Sequence, residues 1–78
     1  MIKVDILTPE WTRSIGVEAI FLPGTLGEFE VLKNHAPIIS TLTKGRIKWR
    51  CAEGEECLAI KGGVVKLRDN VMKICVEV

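Results

Sequence analysis

The sequence predicts an all-β domain, on three observations. Apolar and polar residues alternate at period two through most of the chain. Turn-forming residues recur at intervals of about 8–12 residues, as in sandwiches and barrels. No segment carries a 3.6-residue apolar stripe with capping residues at its ends. At 78 residues the chain makes one domain, residues 1–78. A domain of that size has no room for a second core or a deep substrate cleft.

Each element follows from its own residues. Ile2, Val4 and Ile6 alternate with Lys3 and Asp5, the pattern of a half-buried strand. Thr8-Pro9-Glu10 interrupts it, and Trp11–Ile15 reads as a short strand before Gly16. Val17–Leu22 is the next strand, and Pro23-Gly24 is predicted to end it in a type II turn. Gly27–Leu32 alternates again, with Phe29 and Val31 set against Glu28 and Glu30. Lys33-Asn34-His35-Ala36-Pro37 has no period and reads as a loop. Ile38–Leu42 is a short apolar strand, followed by a turn at Lys44-Gly45.

Arg46–Cys51 is the cleanest alternation: Ile47, Trp49 and Cys51 share one face, and Arg46, Lys48 and Arg50 share the other. Glu53-Gly54-Glu55 reads as a hairpin tip. Glu56–Ile60 is a strand broken by Gly62-Gly63, and Val64–Arg68 is another. Asp69-Asn70 is a tight turn, and Met72–Val78 closes the sequence.

Composition narrows the function. The apolar fraction of 47% suffices for a folded core. A formal net charge of +1 lacks the basic excess of a dedicated nucleic-acid binder. The segment Met1-Ile2-Lys3-Val4-Asp5 does not have the form of a secretory signal. No apolar run reaches the roughly 18 residues of a membrane span. Three cysteines, odd in number and widely spaced, make poor material for a disulfide framework, and the chain reads as cytosolic.

The search for chemistry returns little. Gly24 and Gly27 precede neither a Gly-Lys-Ser/Thr triplet nor a helix, so they read as turn glycines and not as a phosphate cradle. Cys51 and Cys57 are too far apart for a zinc knuckle, so no metal is expected. Cys51, on the face of Ile47 and Trp49, reads as a small apolar residue. His35 has no serine in a nucleophile motif, which leaves a backbone-bonded loop histidine or a contact residue in a docking loop. Glu28 and Glu30 read as a solvated strand face. The stripe Arg46, Lys48 and Arg50 has Trp49 on the opposite face, where it cannot stack bases beside the basic residues. No catalytic residue and no cofactor is expected.

The segment Gly24-Thr25-Leu26-Gly27-Glu28-Phe29-Glu30-Val31-Leu32-Lys33-Asn34-His35-Ala36-Pro37 resembles the pattern G-x-x-G-E-[FL]-G-[VI]-L-x-x-H-A-P of the epsilon subunit of F-type ATP synthases. The likeness continues through Ile38–Leu42, Lys44-Gly45-Arg46-Ile47 and Ile60-Lys61-Gly62-Gly63-Val64-Val65. It implies a flattened antiparallel β-sandwich or barrel of about ten strands. It also implies a non-catalytic subunit of the rotor's central stalk that couples ion-driven rotation to ATP synthesis. Its partners would be the gamma subunit and the membrane c-ring. Its place would be the cytoplasmic face of the inner membrane, held there through the complex without lipid insertion.

By that resemblance Glu28 and His35 lie at the end facing the c-ring. The resemblance does not identify the gamma-binding face; exposed strand residues around Gly62–Leu67 are taken as candidates for it. Two departures stand out. Glu30 occupies a position where the family usually has glycine, which puts the backbone freedom there in question. Most members carry a C-terminal helical hairpin after the sandwich, whereas this sequence reaches Val78 where the sandwich should end. The hairpin's inhibition of ATP hydrolysis and its ATP binding are therefore not expected of these residues. The reading from another class is a small β-barrel that binds oligonucleotide or a small ligand, supported by the basic stripe.

Overall fold

Nine strands and no helix make up the computed structural model, which describes residues 1–78. They are β1 (Ile2–Leu7), β2 (Thr12–Val17), β3 (Ala19–Gly24), β4 (Gly27–Leu32), β5 (Ile38–Leu42), β6 (Gly45–Cys51), β7 (Gly54–Ile60), β8 (Gly62–Arg68) and β9 (Val71–Glu77). The count equals that of the alternating segments and is one fewer than the resemblance implied.

The strands form one curled sheet in the order β2-β1-β9-β8-β5-β3-β6-β7, with β4 paired to β3. A single pairing, Gly24 with Leu42, joins β5 to β3, so the sheet folds there into two halves. Ile2, Val4, Ile6, Val65, Leu67 and Ile74 of one half face Ile20, Leu22, Val31 and Ile47 of the other in one core. The shortest dimension, 17 Å, fits two sheets packed about 10 Å apart with their outer side chains.

Every ladder is antiparallel except that of β1 with β9, which is parallel. The expected wholly antiparallel sheet is corrected at that pair. Parallel neighbours need a long crossover, here all the strands in between. Turn chemistry reports only neighbours in sequence, so such a pair is invisible to it.

Two boundaries also differ from expectation. Pro23-Gly24 is not a turn: Pro23 pairs with Glu28 and Gly24 with Gly27 inside the β3–β4 ladder, and Thr25-Leu26 make the turn. Pro23 is tolerated because it lies between the β6 partners of Ala19–Phe21 and the lone β5 partner of Gly24. Its carbonyl accepts from the Thr43 amide at 2.8 Å. Val17 ends β2 instead of opening the next strand, and only Glu18 separates it from β3. The Glu18 amide donates to the Arg50 carbonyl at 2.8 Å, which turns the chain from one half-sheet into the other.

The end strands β2 and β7 close the curl through side chains. Arg13 Nη2 reaches Glu56 Oε2 at 2.9 Å, and its guanidinium lies 5.6 Å from the centre of the Trp49 ring. The same carboxylate accepts from Trp49 Nε1 at 3.2 Å, which satisfies the one polar atom of an indole only 3% exposed. An exposed ion pair of this kind contributes under about 1 kcal/mol. The core itself holds no polar or charged side chain.

Candidate functional site

With the interior wholly apolar, every group able to do chemistry or recognition lies at the surface. Glu28 is the second residue of β4, just past the Thr25-Leu26 turn, and His35 sits in the loop between β4 and β5. Both are exposed, and they line one shallow depression together with Leu26, Phe29, Ile38 and Ile39. The fold thus brings together the two residues singled out in the sequence.

Two apolar residues in that depression escaped the sequence reading. Leu26 is fully exposed at the hairpin tip, and Ile39 is 76% exposed. The signal for Leu26 was a leucine in a two-residue turn, where polar residues are the rule. Ile39 stood in an unbroken Ile38-Ile39 run, whose period gives no facing.

The depression is held rigidly. The Thr25 amide donates to the Thr41 carbonyl at 3.2 Å, and the two threonine hydroxyls are 2.8 Å apart, so the tip is clamped to β5. The His35 amide donates to the Leu32 carbonyl at 3.2 Å. His35 Nδ1 lies 2.7 Å from the Ala36 carbonyl oxygen, which can only accept, so the neutral ring carries its proton on Nδ1 and leaves Nε2 to accept from a partner. Glu30 continues β4 opposite Phe21, outside the positive-φ region, so a side chain there is accommodated as ordinary strand.

Asn70 fixes the loop to the rest of the fold. Asp69 and Asn70, with φ of 52° and 61°, form the two-residue β8–β9 turn; both left-handed, they match a type I′ hairpin. The Asn70 Oδ1 accepts from the Asn34 amide at 2.7 Å, and its Nδ2 donates to Asn34 Oδ1 at 3.0 Å. Its carbonyl also accepts from the Lys3 amide at 2.9 Å. Asn70→Ala should cost about 1–2 kcal/mol, from a left-handed residue with a side chain and two lost bonds. Asn70→Gly should keep the turn yet speed hydrogen exchange at the Asn34 amide; amide exchange by NMR on both variants checks this.

No group of three or more His, Cys, Asp or Glu side chains comes together, and the three cysteines are unpaired. Cys51 is half-buried, while Cys57 and Cys75 are exposed. The Glu53 carboxylate beside the Cys51 thiol raises its pKa above the usual thiol value, and the thiol in turn lowers that of Glu53. A raised pKa means less thiolate at neutral pH. Cys51 should therefore alkylate after Cys57 and Cys75, and Glu53→Gln should speed its reaction; mass spectrometry of timed iodoacetamide labelling checks the order.

The basic stripe lies outward as expected, but Trp49 is buried beneath Arg13. Arg50 is 3.8 Å from Glu18, and the one ring on that face is the half-buried Phe21 opposite Lys48.

Comparison with known proteins completes the description. The profile of the family described as "ATP synthase, Delta/Epsilon chain, beta-sandwich domain" matches residues 1–78. The chain belongs to this family. Among its relatives is the ATP synthase epsilon chain of Leptospira interrogans, 35% identical over 77 residues, covering 97% of this chain and 61% of the relative. The epsilon chain of Syntrophobacter fumaroxidans is 39% identical over 74 residues, covering 94% of this chain and 55% of the relative.

The chain therefore spans somewhat more than half the length of these curated relatives. Two solved structures share the fold. The central stalk and c-ring structure of the Tetrahymena thermophila mitochondrial ATP synthase matches with a TM-score of 0.84 at 19% identity, covering 99% of this chain and 63% of that one. The Euglena gracilis OSCP/F1/c-ring structure matches with a TM-score of 0.88 at 23% identity, covering 96% and 49%. The family's β-sandwich is thus present here as nine strands around one core.

Proposed function

We propose that this domain is a non-catalytic part of the central stalk of an F-type ATP synthase. It docks onto the gamma subunit and onto the loops of the c-ring, and so couples ion-driven rotation to ATP synthesis. The observation that carries the reading is the meeting of Glu28 and His35 around one exposed depression, in a chain of the delta/epsilon family. The relatives are epsilon chains, and the structural neighbours come from assemblies that include the c-ring.

The geometry suits the task. A coupler must transmit force without deforming, and one apolar core shared by both half-sheets suits that task. The docking end offers Leu26 and Ile39 as apolar anchors, with Glu28 and His35 as polar groups at their side. Because its loops are tied down by Thr41 and Asn70, little conformational freedom is lost on binding. The exposed Val64 on the outer face of β8 supports a gamma contact around Gly62–Leu67. In the assembled enzyme the domain lies peripheral to the membrane, on its cytoplasmic side, with no nucleic acid bound.

Reconstitution tests this. Mixed with gamma and detergent-solubilised c-ring, the domain should co-elute with both in size-exclusion chromatography. Elution as a free monomer at high micromolar concentration in the presence of gamma and ring would count against it.

A further inference from the structure

Lys66 on β8 and Lys73 on β9 are direct cross-strand partners on the outer face of the sheet. Side chains so placed stand about 5 Å apart at Cβ, and like charges there repel. Neither lysine forms an ion pair. The nearest carboxylate in the ladder, Asp5 opposite Lys73, accepts the Ser14 hydroxyl at 2.7 Å. Arg68 adds a third cation, 3.6 Å from Asp69, which is the one acidic residue of the groove that these side chains line. Three cations against Asp69 and the neighbouring Asp5 still leave this face net positive.

The same groove exposes apolar surface. Ile39, beside Lys66, is 76% exposed, and Val71, two residues before Lys73 on β9, is 40% exposed. Ile39 pairs with Lys66 across β5–β8, so the apolar and cationic groups form one continuous row, Ile39-Lys66-Lys73. We infer that this groove docks an acidic protein segment whose carboxylate bridges Lys66 and Lys73 while its apolar side chains cover Ile39 and Val71. One carboxylate between the two ammonium groups removes their repulsion and makes two charge-assisted bonds. The groove has no aromatic platform for bases, and its apolar components need cover that a lipid headgroup or free anion lacks. The groove borders the depression at Glu28 and His35 and shares Ile39 with it, but the lysine pair lies outside that depression, so replacing the lysines tests this inference without altering Glu28 or His35.

The probe is an acetylated octapeptide of alternating glutamate and leucine, titrated into the isotope-labelled chain and followed by amide shifts. Controls are a glutamate-only octapeptide, a lysine–leucine octapeptide, vesicles rich in phosphatidylglycerol, and a single-stranded oligonucleotide. The expected result is shifts centred on Ile39, Lys66, Val71 and Lys73 with the glutamate–leucine peptide. The affinity should fall about tenfold in the double variant K66Q/K73Q, whose melting temperature is equal to or above that of the parent because the repulsion is gone. Equal affinity of parent and double variant overturns the proposal. So do shifts centred elsewhere, equal binding of the glutamate-only peptide, or tighter binding of vesicles or oligonucleotide through the same residues.

Discussion

Gly63→Ala should destabilise the domain by about 2–3 kcal/mol, the upper part of the range of about 1–3 kcal/mol for overpacking. Gly63 lies in β8 between two ladders, opposite Val76 on one side and Leu42 on the other. A Cβ there would overlap the Cys75 carbonyl oxygen and come within 2.7 Å of Val76 Cγ1 and 2.9 Å of Val76 Cα. Two of the three obstacles are backbone, so relief requires β8 and β9 to separate. For a chain of this size the loss corresponds to a melting temperature lower by roughly 10–20 °C. Gly27→Ala is the instructive contrast. A Cβ at Gly27 meets nothing within 4 Å, but the backbone φ of 130° is one that side chains rarely adopt. Its cost should be about 1 kcal/mol and should fall on the hairpin tip. Thermal denaturation of the two variants separates a packing effect from a conformational one.

Leu26→Asp should weaken c-ring association by about 10- to 100-fold, on the scale of one interface anchor, and leave stability within about 0.5 kcal/mol. Leu26 is fully exposed, so the substitution removes no core contact. A charge at the hairpin tip that lines the docking depression would have to be desolvated on binding. Glu28→Gln and His35→Ala should each do less, about threefold to tenfold, since both are solvent-exposed groups beside the anchors. Binding to immobilised ring, measured beside the melting curve of each variant, checks this order. A ranking with Glu28 ahead of Leu26 would mean that charge, and not apolar contact, holds the docking end.

The strands were legible because the core is built on period two. Ile2, Val4 and Ile6, and again Ile47 and Trp49, are buried as their alternation requires. Asp69-Asn70 was legible because few other residue pairs accept two left-handed conformations in succession. Pro23-Gly24 misled because local turn chemistry ignores a change of strand partner, which only the folded sheet reveals.

The parallel β1–β9 ladder and the Arg13–Glu56–Trp49 latch depend on residues far apart in sequence, so no local pattern encodes them. In the candidate site, Glu28 and His35 were visible through family resemblance. Leu26, Ile39 and the Asn34–Asn70 bond were not, because exposure and loop anchoring arise only when β5 comes beside the tip and the β8–β9 turn beside the β4–β5 loop.

The central claim is that the hairpin tip faces the ring. A benzophenone attached at position 26 in a cysteine-free variant tests it most directly, with the same label at Ala52, exposed in the β6–β7 turn at the opposite end of the sheet, as control. On illumination of the reconstituted complex, position 26 should cross-link to the c-ring subunit and position 52 should not. Equal yields from the two positions, or a ring product from position 52 alone, would contradict the account.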